Sequence, residues 1–446
     1  MASIIKEKKE IWSDKIEFLR ESKKFFSKMK YRGINLWPVM APAIYESYVA
    51  PVKNKKESAK DFFRYFFLQE RIKFPEVGGS GILASFAMNR KDHHEFFLKS
   101  IEKLKENVLL IDMYGTKNKD KKDRFSLRFP NVILFLKLLI NFNKNSLKKV
   151  LDTKYWSILA HTTYICSQIK RFERKMNEYN LKAYVSFCSQ ASEEETIITL
   201  ISKKNNVPTF TLQHGFIIDY PYFGTPVLLS ENNVSDYILV WGKSTERQLL
   251  KFIDKGRIVK AGNPKYDRPH KIRKENLLKI GTVFLSVVGN EESNKNLVRI
   301  IDKICVKKPE ININIKIHPF DKIDKYSSIV TSKNIKFVDK NVSVKELLEK
   351  SDFTIVHNTT ISYEALLYGI PILKFKDGHY AKLWDDRDSF IDLKDLETLL
   401  NKLKTKKFAK SLLDYYSKIL EETFYFHPTK TVPEVYREKI IEKVKD

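Results

Sequence analysis

Short apolar runs alternate with helical stretches over most of this 446-residue chain, and this alternation limits the fold more than any other feature. Strand-length apolar runs separated by helices are typical of βαβ units built on a parallel sheet. The runs lie at 108–112, 183–187, 209–212, 237–241, 258–261, 280–288, 313–317, 335–338, 353–356 and 370–375. The chain is therefore expected to be an α/β protein.

The runs form two series, which predicts two domains. Between the series, the segment 262–269 reads GNPKYDRP and is the best linker candidate. We predict one Rossmann-like domain over 1–268 and a second over 269–446, whose last helix could cross back to the first. Residues 1–30 and most of 131–180 are expected to add helices, whereas 32–38 and 78–81 are expected to be loops.

The net charge of the chain limits the classes of partner that it is expected to bind. Lys and Arg number 81 against 55 Asp and Glu, a formal net charge of +26. This balance points to nucleic acid, an anionic membrane face or an anionic substrate, unless it is simply a lysine-rich solvated surface. No nucleic-acid recognition motif can be placed in the sequence, so nucleic acid is not the expected partner. A hydrophobic content of 43% excludes a disordered basic tail.

The sequence predicts a cytoplasmic protein. No run approaches the roughly 18 apolar residues of a membrane span, and the N-terminus lacks the apolar core of a signal peptide. The three cysteines lie too far apart to suggest a disulfide framework. Residues 4–26 repeat apolar side chains on one helical face, which predicts packing on their own domain or contact with the inner membrane face. The basic segment 117–124 is read as an exposed loop and a second candidate for that contact.

Polar residues directly after the strands are the candidates for a site, because ligands bind at the carboxyl ends of the strands in open parallel sheets. Three of the nine histidines stand at such ends, namely His214, His318 and His357. Gly289 and Asn290 follow another predicted strand and join the candidates for nucleotide binding.

The segment beginning at Asn358 is the strongest candidate for a phosphate site. Thr359 and Thr360 begin a predicted helix, and a helix N-terminus favours an anion. Glu364 lies one turn further on, where a carboxylate could hold a ribose hydroxyl. The alternative is an ordinary capped helix with a favourable acidic first turn.

Lys316 and His318 are two residues apart, so they are expected on the same side of their strand. Pro319 fixes the turn that follows. A lysine and a histidine donor aimed together suit phosphate oxygens. A structural histidine remains an alternative.

Three residues are candidates for an acid or base in the first half of the chain. His214 precedes Gly215, which allows close approach of a ligand to the backbone; a core histidine held by Gln213 is the alternative. Glu194 and Glu195 follow the predicted strand 183–187 and offer carboxylates at the same edge, although such acidic runs are usually solvated.

Five segments together resemble bacterial surface-polysaccharide glycosyltransferases of the GT-B fold. They are TFTLQHG at 209–215, DYILVWG at 236–242, GNPKYD at 262–267, KIHP at 316–319, and the element with Thr359-Thr360, Glu364-Ala365 and Gly369-Ile-Pro371. The same landmarks recur in sialyl- and Kdo-transferase-like capsule enzymes, in CDP-glycerol glycerophosphotransferases and in UDP-N-acetylglucosamine 2-epimerases. The resemblance covers about residues 181–375.

The resemblance implies two Rossmann-like domains facing a cleft, with the nucleotide of an activated sugar bound by the C-terminal half. His318, Thr359 and Thr360 match the motifs that hold nucleotide and phosphate in CMP-sugar transferases, although Ser-Ser or Ser-Thr is more usual than Thr-Thr. Glu364 matches the acidic residue that meets the ribose. A clear acidic base motif is missing from the N-terminal half.

We therefore expect an inverting glycosyltransferase without a metal or other cofactor. The donor would be a CMP-sugar or, next, a UDP-sugar, and the acceptor a surface glycan or a lipid-linked molecule. The base would be His214, Glu194 or Glu195, in that order, while Lys316, His318 and the helix N-terminus would stabilise the leaving phosphate.

Three other functions stay open on the sequence. A CDP-glycerol or CDP-ribitol phosphotransferase would use the same motifs with a different donor. A UDP-N-acetylhexosamine 2-epimerase would need acidic residues around the sugar and no acceptor. A non-enzymatic basic protein would bind nucleic acid or membrane with a steep dependence on salt. The sequence does not indicate an oligomeric state.

Overall fold

A computed structural model describes ten stretches of the chain, which divide into two compact units. The stretches are 17–49, 55–76, 80–144, 154–215, 231–267, 278–286, 291–318, 321–339, 341–377 and 384–445. The first unit takes the described residues up to 267 together with 427–445, and the second takes those from 278 to 426.

The described residues of the first unit contain ten short strands. They are β1 Lys30–Tyr31, β2 Ile34–Asn35, β3 Leu68–Glu70, β4 Ser80–Phe86, β5 Val108–Asp112, β6 Phe125–Leu127, β7 Asn180–Ser186, β8 Thr209–Leu212, β9 Tyr237–Val240 and β10 Ile258–Lys260. Six of them form a parallel sheet in the order β10-β9-β8-β7-β4-β5. The chain leaves β4 for β5 and returns on the other side of β4 as β7. The carboxyl ends of β4 and β7 therefore flank a topological switch point, where open α/β sheets bind their ligands.

Helices cover the sheet of the first unit. They are 17–26, Trp37–Val49, Lys55–Phe67, Lys91–Ile101, Tyr114–Lys117, Lys121–Arg124, Val132–Lys144, Tyr155–Met176, Glu193–Lys204, Lys243–Leu249 and Val432–Lys445, with 3₁₀ turns at Glu102–Asn107 and Lys255–Arg257. Strand β8 is buried along its whole length, although two threonines alternate with Phe210 and Leu212 in it.

The second unit has a six-stranded parallel sheet of its own. Its strands are β11 Ile280–Phe284, β12 Asn312–Lys316, β13 Ile335–Phe337, β14 Phe353–Val356, β15 Ile372–Phe375 and β16 Ser389–Phe390. Their order, β13-β12-β11-β14-β15-β16, is that of a dinucleotide-binding Rossmann sheet, with the switch point between β11 and β14. The helices are Glu291–Lys307, Asp324–Ser327, Val344–Lys350, Ile361–Leu367, Leu393–Leu403 and Lys406–Thr423.

The centre of the second sheet is packed too tightly for a side chain at Gly281. A Cβ atom there would lie 2.5 Å from Cζ of Phe353 and 2.6 Å from Cδ1 of Ile313. Gly281 pairs with both residues in register across the sheet. Glycine at this position lets β11 lie between two large side chains.

The α/β fold class with two Rossmann-like sheets is confirmed, and three local predictions were wrong. Residues 80 and 81, expected in a loop, begin strand β4. The segment 32–38 holds strand β2 and the start of a helix. The segment 117–124, expected as an exposed loop, lies largely within two short helices. Its Lys117 side chain is only 16% exposed because its ammonium pairs with Glu194.

Within the described residues, no helix is both long enough and apolar enough to cross a membrane. Most of the N-terminal stripe predicted over 4–26 lies outside the described residues, as do Gly289, Asn290 and Pro319.

Candidate functional site

His93 and His214 meet at the switch point of the first unit. His93 lies in the first turn of the helix that follows β4, and His214 lies just after β8. Their ring centroids are 6.0 Å apart, and both rings contact Phe187, which follows β7. The Nε2 atom of His214 lies 3.8 Å from Sγ of Cys188. Neither Nδ1 atom has a hydrogen-bond partner among the described residues.

Both imidazoles are held in the neutral form. Burial lowers the pKa of His93 to about 4, and the charge of Arg90 adds to the effect. Burial also lowers the pKa of His214 to about 4, with smaller contributions from His93 and Arg90. These rings can therefore donate and accept hydrogen bonds at neutral pH, but they bind a proton weakly.

His94 and Asp112 form an acid–base pair beside these rings. Nε2 of His94 lies 2.7 Å from Oδ2 of Asp112, at the carboxyl end of β5. The other oxygen of Asp112 accepts the backbone N–H of Tyr114 at 2.9 Å, and the Tyr114 ring stacks on His94 with centroids 4.5 Å apart. The His94 side chain is 16% exposed, so it is held in place but still reached by solvent. An ionised Asp112 would fix the tautomer that leaves Nδ1 of His94 free to accept a proton.

Glu195 is buried and accepts hydrogen bonds from the nearby backbone. Its carboxylate accepts the backbone N–H groups of Phe187 and Cys188, at 3.2 and 2.7 Å, and the Ser85 hydroxyl at 3.1 Å. The residue has no exposed surface. Burial raises its pKa to about 7 despite these three donors.

Glu194 belongs to an ion-pair cluster. Its carboxylate lies 3.3 Å from the Lys117 ammonium and accepts the Ser192 hydroxyl at 3.1 Å. Burial alone would raise the pKa of Glu194, but Lys117 keeps it below its ordinary value. The adjacent Glu70, which pairs with Arg124 at 2.7 Å, has a pKa raised by burial and by the charge of Glu194.

In the second unit, a buried polar network joins the strand ends at the switch point. His357, just after β14, has no exposed surface; its Nε2 lies 3.2 Å from Asp377, just after β15. Its Nδ1 lies 3.4 Å from Oδ1 of Asn294. The Asn294 amide also bonds both backbone groups of Ser286, beyond β11, at 3.0 and 3.2 Å. This network fixes the loops that would face a ligand.

The segment after His357 presents the predicted phosphate-binding residues. Asn358 has a φ of 45°, a left-handed conformation that non-glycine residues seldom adopt. Oγ1 of Thr359 lies 3.4 Å from the N–H of Ile361, whereas Thr360, the N-cap residue, is exposed and makes no side-chain capping bond. Glu364 is half-buried in the first turn. The structure thus brings these residues together at one helix start.

Lys316 and His318 differ in their surroundings. The Lys316 ammonium binds the backbone carbonyls of Val342 and Asp339, at 2.8 and 3.5 Å, and is nearly buried. Burial lowers its pKa. His318 is half-buried beyond the end of β12. Lys316 therefore holds the loop after β13, and the phosphate contact predicted for its ammonium stays a prediction.

Sequence reasoning missed His93, His94 and Asp112. A usable signal was present, because Asp112 ends a strand that the apolar pattern identified. The two histidines were missed because the glycines at 78–81 masked the start of β4. Among the described residues, no group of three or more His, Cys, Asp or Glu side chains is arranged to hold a metal ion.

Two Rossmann-like units with polar strand ends define the class of fold, which is that of the GT-B proteins. A solved structure assigned as a UDP-N-acetylglucosamine 2-epimerase from Listeria monocytogenes is similar over 82% of this chain and 95% of its own, with a TM-score of 0.51 and 11% identity. The UDP-GlcNAc 2-epimerase of Neisseria meningitidis bound to UDP-GlcNAc covers 82% of this chain and is covered over its full length, with a TM-score of 0.46 and 12% identity.

The glycosyltransferase of kitacinnamycin also covers 83% of this chain and is covered over its full length, with a TM-score of 0.48 and 10% identity. No protein-family model matches the sequence, and no curated protein matches it. At 11% identity, the likeness to the Listeria structure establishes the fold and not the reaction.

Proposed function

We propose that this chain is an enzyme of nucleotide-activated sugars, and specifically an inverting glycosyltransferase that needs no metal. The observation that carries the proposal is the His94–Asp112 pair, held at 2.7 Å beside the switch point of a Rossmann-like unit. A second Rossmann-like unit in the same chain presents the exposed start of a helix at its own switch point. The first arrangement suits proton removal from a hydroxyl, and the second suits a phosphate.

In this proposal His94 is the base. As the acceptor oxygen attacks the anomeric carbon, its proton passes to Nδ1 of His94, and the resulting imidazolium is stabilised by Asp112. The bond from the anomeric carbon to the donor phosphate breaks in the same step, which inverts the configuration at that carbon. His318, Thr359 and Thr360 stabilise the departing nucleotide, and Glu364 holds the ribose.

The physical chemistry of the other base candidates favours His94 over them. A general base works best with a pKa near the working pH, and that of His214 lies at about 4. Glu195 has no surface from which to reach an acceptor. Glu194 is paired with Lys117. We assign Glu195 to positioning the loop after β7, and His214 to hydrogen bonding near the acceptor.

The donor is proposed as a CMP-sugar or, next, a UDP-sugar, and the acceptor as a surface glycan or a lipid-linked molecule. A thermal-shift screen of CMP, CDP, UDP, GDP and dTDP identifies the nucleobase of the donor. A nucleotide at 100 times its Kd stabilises by about 2.7 kcal/mol, which is readily measured. No stabilisation by any of the five would refute the proposal.

Transfer is then measured with the donor so identified. His94→Gln and Asp112→Asn should each lower kcat by about 10²- to 10⁴-fold, because both remove the positioned base. His214→Gln is the matched control and should affect KM more than kcat. Activity should persist in excess chelator, and strict Mg²⁺ dependence would contradict the metal-independent mechanism.

A 2-epimerase is the second candidate, favoured by the similarity to the assigned epimerase structure from Listeria. It predicts that UDP-N-acetylglucosamine alone is converted, with no acceptor added. Incubation with that sugar nucleotide and separation of the products distinguishes the two functions.

A further inference from the structure

Part of the first unit exposes large apolar side chains along one helix face. On the helix Val132–Lys144, the side chains of Val132, Ile133, Leu136 and Ile140 are exposed by 52, 70, 50 and 56%. Their spacing places all four on one side of the helix. A water-facing helix surface normally carries polar side chains, so this face calls for a specific explanation.

The opposite face of the same helix packs against the rest of the first unit. Leu138 and Phe142 are buried in the core of the first unit, and Phe135 stacks edge-on against Phe66 with ring centroids 5.0 Å apart. The helix is therefore apolar on two sides, one packed and one exposed. A second apolar face is not needed to hold the helix on its domain.

The exposed apolar residues continue beyond the helix. Just before it, Leu127 and Phe129 are exposed by 84 and 102%. The pairing of Leu127 with Leu68 brings this segment to the end of the helix Lys55–Phe67, where Phe63 and Phe67 are exposed by 61 and 36%. A groove of about 790 Å³ lies between these parts. We call the eight residues Phe63, Phe67, Leu127, Phe129, Val132, Ile133, Leu136 and Ile140 the apolar surface.

Single exposed apolar residues are common on proteins, but contiguous groups mark binding surfaces. The charge around this group indicates what it binds. Residues 117–144 contain eight Lys or Arg and only two Asp, and of the eight cations Lys117 and Arg124 are paired with glutamates outside this segment. Lys119 and Lys137 are exposed, and the groove is lined by Lys60, Arg64 and Arg124 together with Glu57 and Asp61. Apolar side chains surrounded by cations are complementary to a bilayer interface with anionic headgroups.

The same charge argues against a second copy of the chain as the occupant. A two-fold dimer would place this basic segment against itself, because both copies use the same patch. Like charges brought together in this way oppose association.

We propose that the apolar surface docks the first unit on an anionic lipid bilayer. The helix Val132–Lys144 lies in the plane of the interface with its exposed face among the upper acyl chains, and the surrounding lysines and arginines contact headgroups. Its 13 residues reach about 20 Å, which is less than the roughly 30 Å of a bilayer core, so the helix lies on the membrane rather than crossing it.

The proposal is tested by flotation of the purified chain with vesicles of phosphatidylglycerol and phosphatidylcholine, and with vesicles of phosphatidylcholine alone. The wild-type chain should float with the first and far less with the second, and added salt should release it. Ile133→Glu and Leu136→Glu should each reduce partitioning into vesicles at least about tenfold, since each removes one apolar side chain that the bilayer would bury. Both residues are exposed, so unchanged Tm values should accompany the loss.

Val306→Glu is the matched control. Val306 is 61% exposed, but it lies on the helix Glu291–Lys307 of the second unit, so its replacement should leave flotation unchanged. Equal flotation of wild type and an Ile133→Glu/Leu136→Glu double variant would overturn the proposal. A dimer in vesicle-free buffer that these variants dissociate, without vesicle binding by the wild type, would also overturn it and favour a second copy. Neither readout involves a sugar nucleotide, so the result is independent of the proposed reaction.

Discussion

The two imidazoles at the switch point of the first unit should remain neutral in mildly acidic solution. Burial holds the pKa of His93 and of His214 at about 4, whereas the unfolded chain should titrate near 6.5. At pH 5 each folded ring should then be only about one-tenth protonated, while a histidine of the unfolded chain should be almost fully protonated. The experiment that tests this expectation is a titration of the folded chain from pH 8 to pH 4.

The difference between folded and unfolded pKa values sets the size of the effect. For each ring taken alone it corresponds to about 3 kcal/mol. The direction of the change in stability follows from proton binding. Between pH 6.5 and 4 these two histidines bind protons in the unfolded chain but not in the folded chain. The stability contributed by the neutral rings is therefore complete above pH 6.5 and is lost as the pH falls towards 4.

Nuclear magnetic resonance of the chain labelled with ¹³C at histidine Cε1 measures this directly. His93→Gln and His214→Gln each remove one resonance and so assign the two signals. We expect both signals to keep the shift of neutral imidazole at pH 5, and the same chain in urea should supply the unperturbed titration. His93→Gln should also raise the pKa of His214 slightly, because the His93 ring lies edge-on to it at 6.0 Å and lowers its pKa.

A titration of His214 near 6.5 in the folded chain would refute the reasoning. It would mean that the ring is solvated or paired in a way that the contacts with Phe187 and Cys188 do not allow. It would also restore His214 as a competitor of His94 for the role of base.

Three further predictions concern stability. The Tm of Glu195→Gln relative to that of wild type should be higher at pH 8 than at pH 5, since the folded carboxyl of wild type, with a pKa of about 7, carries a cost of up to about 3 kcal/mol once it ionises; an equal difference at both pH values would contradict this. Gly281→Ala should destabilise the second unit by about 1–3 kcal/mol in thermal melts, and Phe353→Leu should relieve part of that loss. Lys374→Met should cost about 3 kcal/mol or more, because it leaves Asp388 buried without its partner at 2.9 Å, and a melt unchanged by the substitution would show that this pair is solvated.

The apolar pattern predicted the two sheets well because most strands of a parallel sheet are buried on both faces. Strands β8, β14 and β15 are fully buried, and their apolar side chains identified them although each strand also contains Thr or Lys. Strand β4 was missed although it pairs with a strand on each side. It begins with Ser-Gly directly after two glycines, and these residues signal a loop when neighbouring strands are not known.

The candidate site was harder to predict, because it depends on contacts between residues far apart in the sequence. The segment 358–364 stays within one loop and helix start, and its members were identified together. The pairing of His94 with Asp112 depends on β4 lying beside β5, which no local pattern contains. Likewise, a run of glutamates gives no sign that Glu195 turns inward to the backbone while Glu194 turns to Lys117.

The first unit is completed by the helix Val432–Lys445, which comes after the whole second unit in the chain. This helix packs on the helix Lys91–Ile101, and its Tyr436 hydroxyl donates to the carbonyl of Gly262 at 3.1 Å.

On the ribosome, then, the unit that begins first finishes last. Its sheet is synthesised early, but residues 427–445 follow only after residues 268–426 have been made, a delay of roughly ten to thirty seconds at ordinary elongation rates. Over that interval the side of Lys91–Ile101 that later meets the last helix is uncovered. The described residues of the second unit come from one continuous part of the chain, so its sheet does not depend on a later segment in this way.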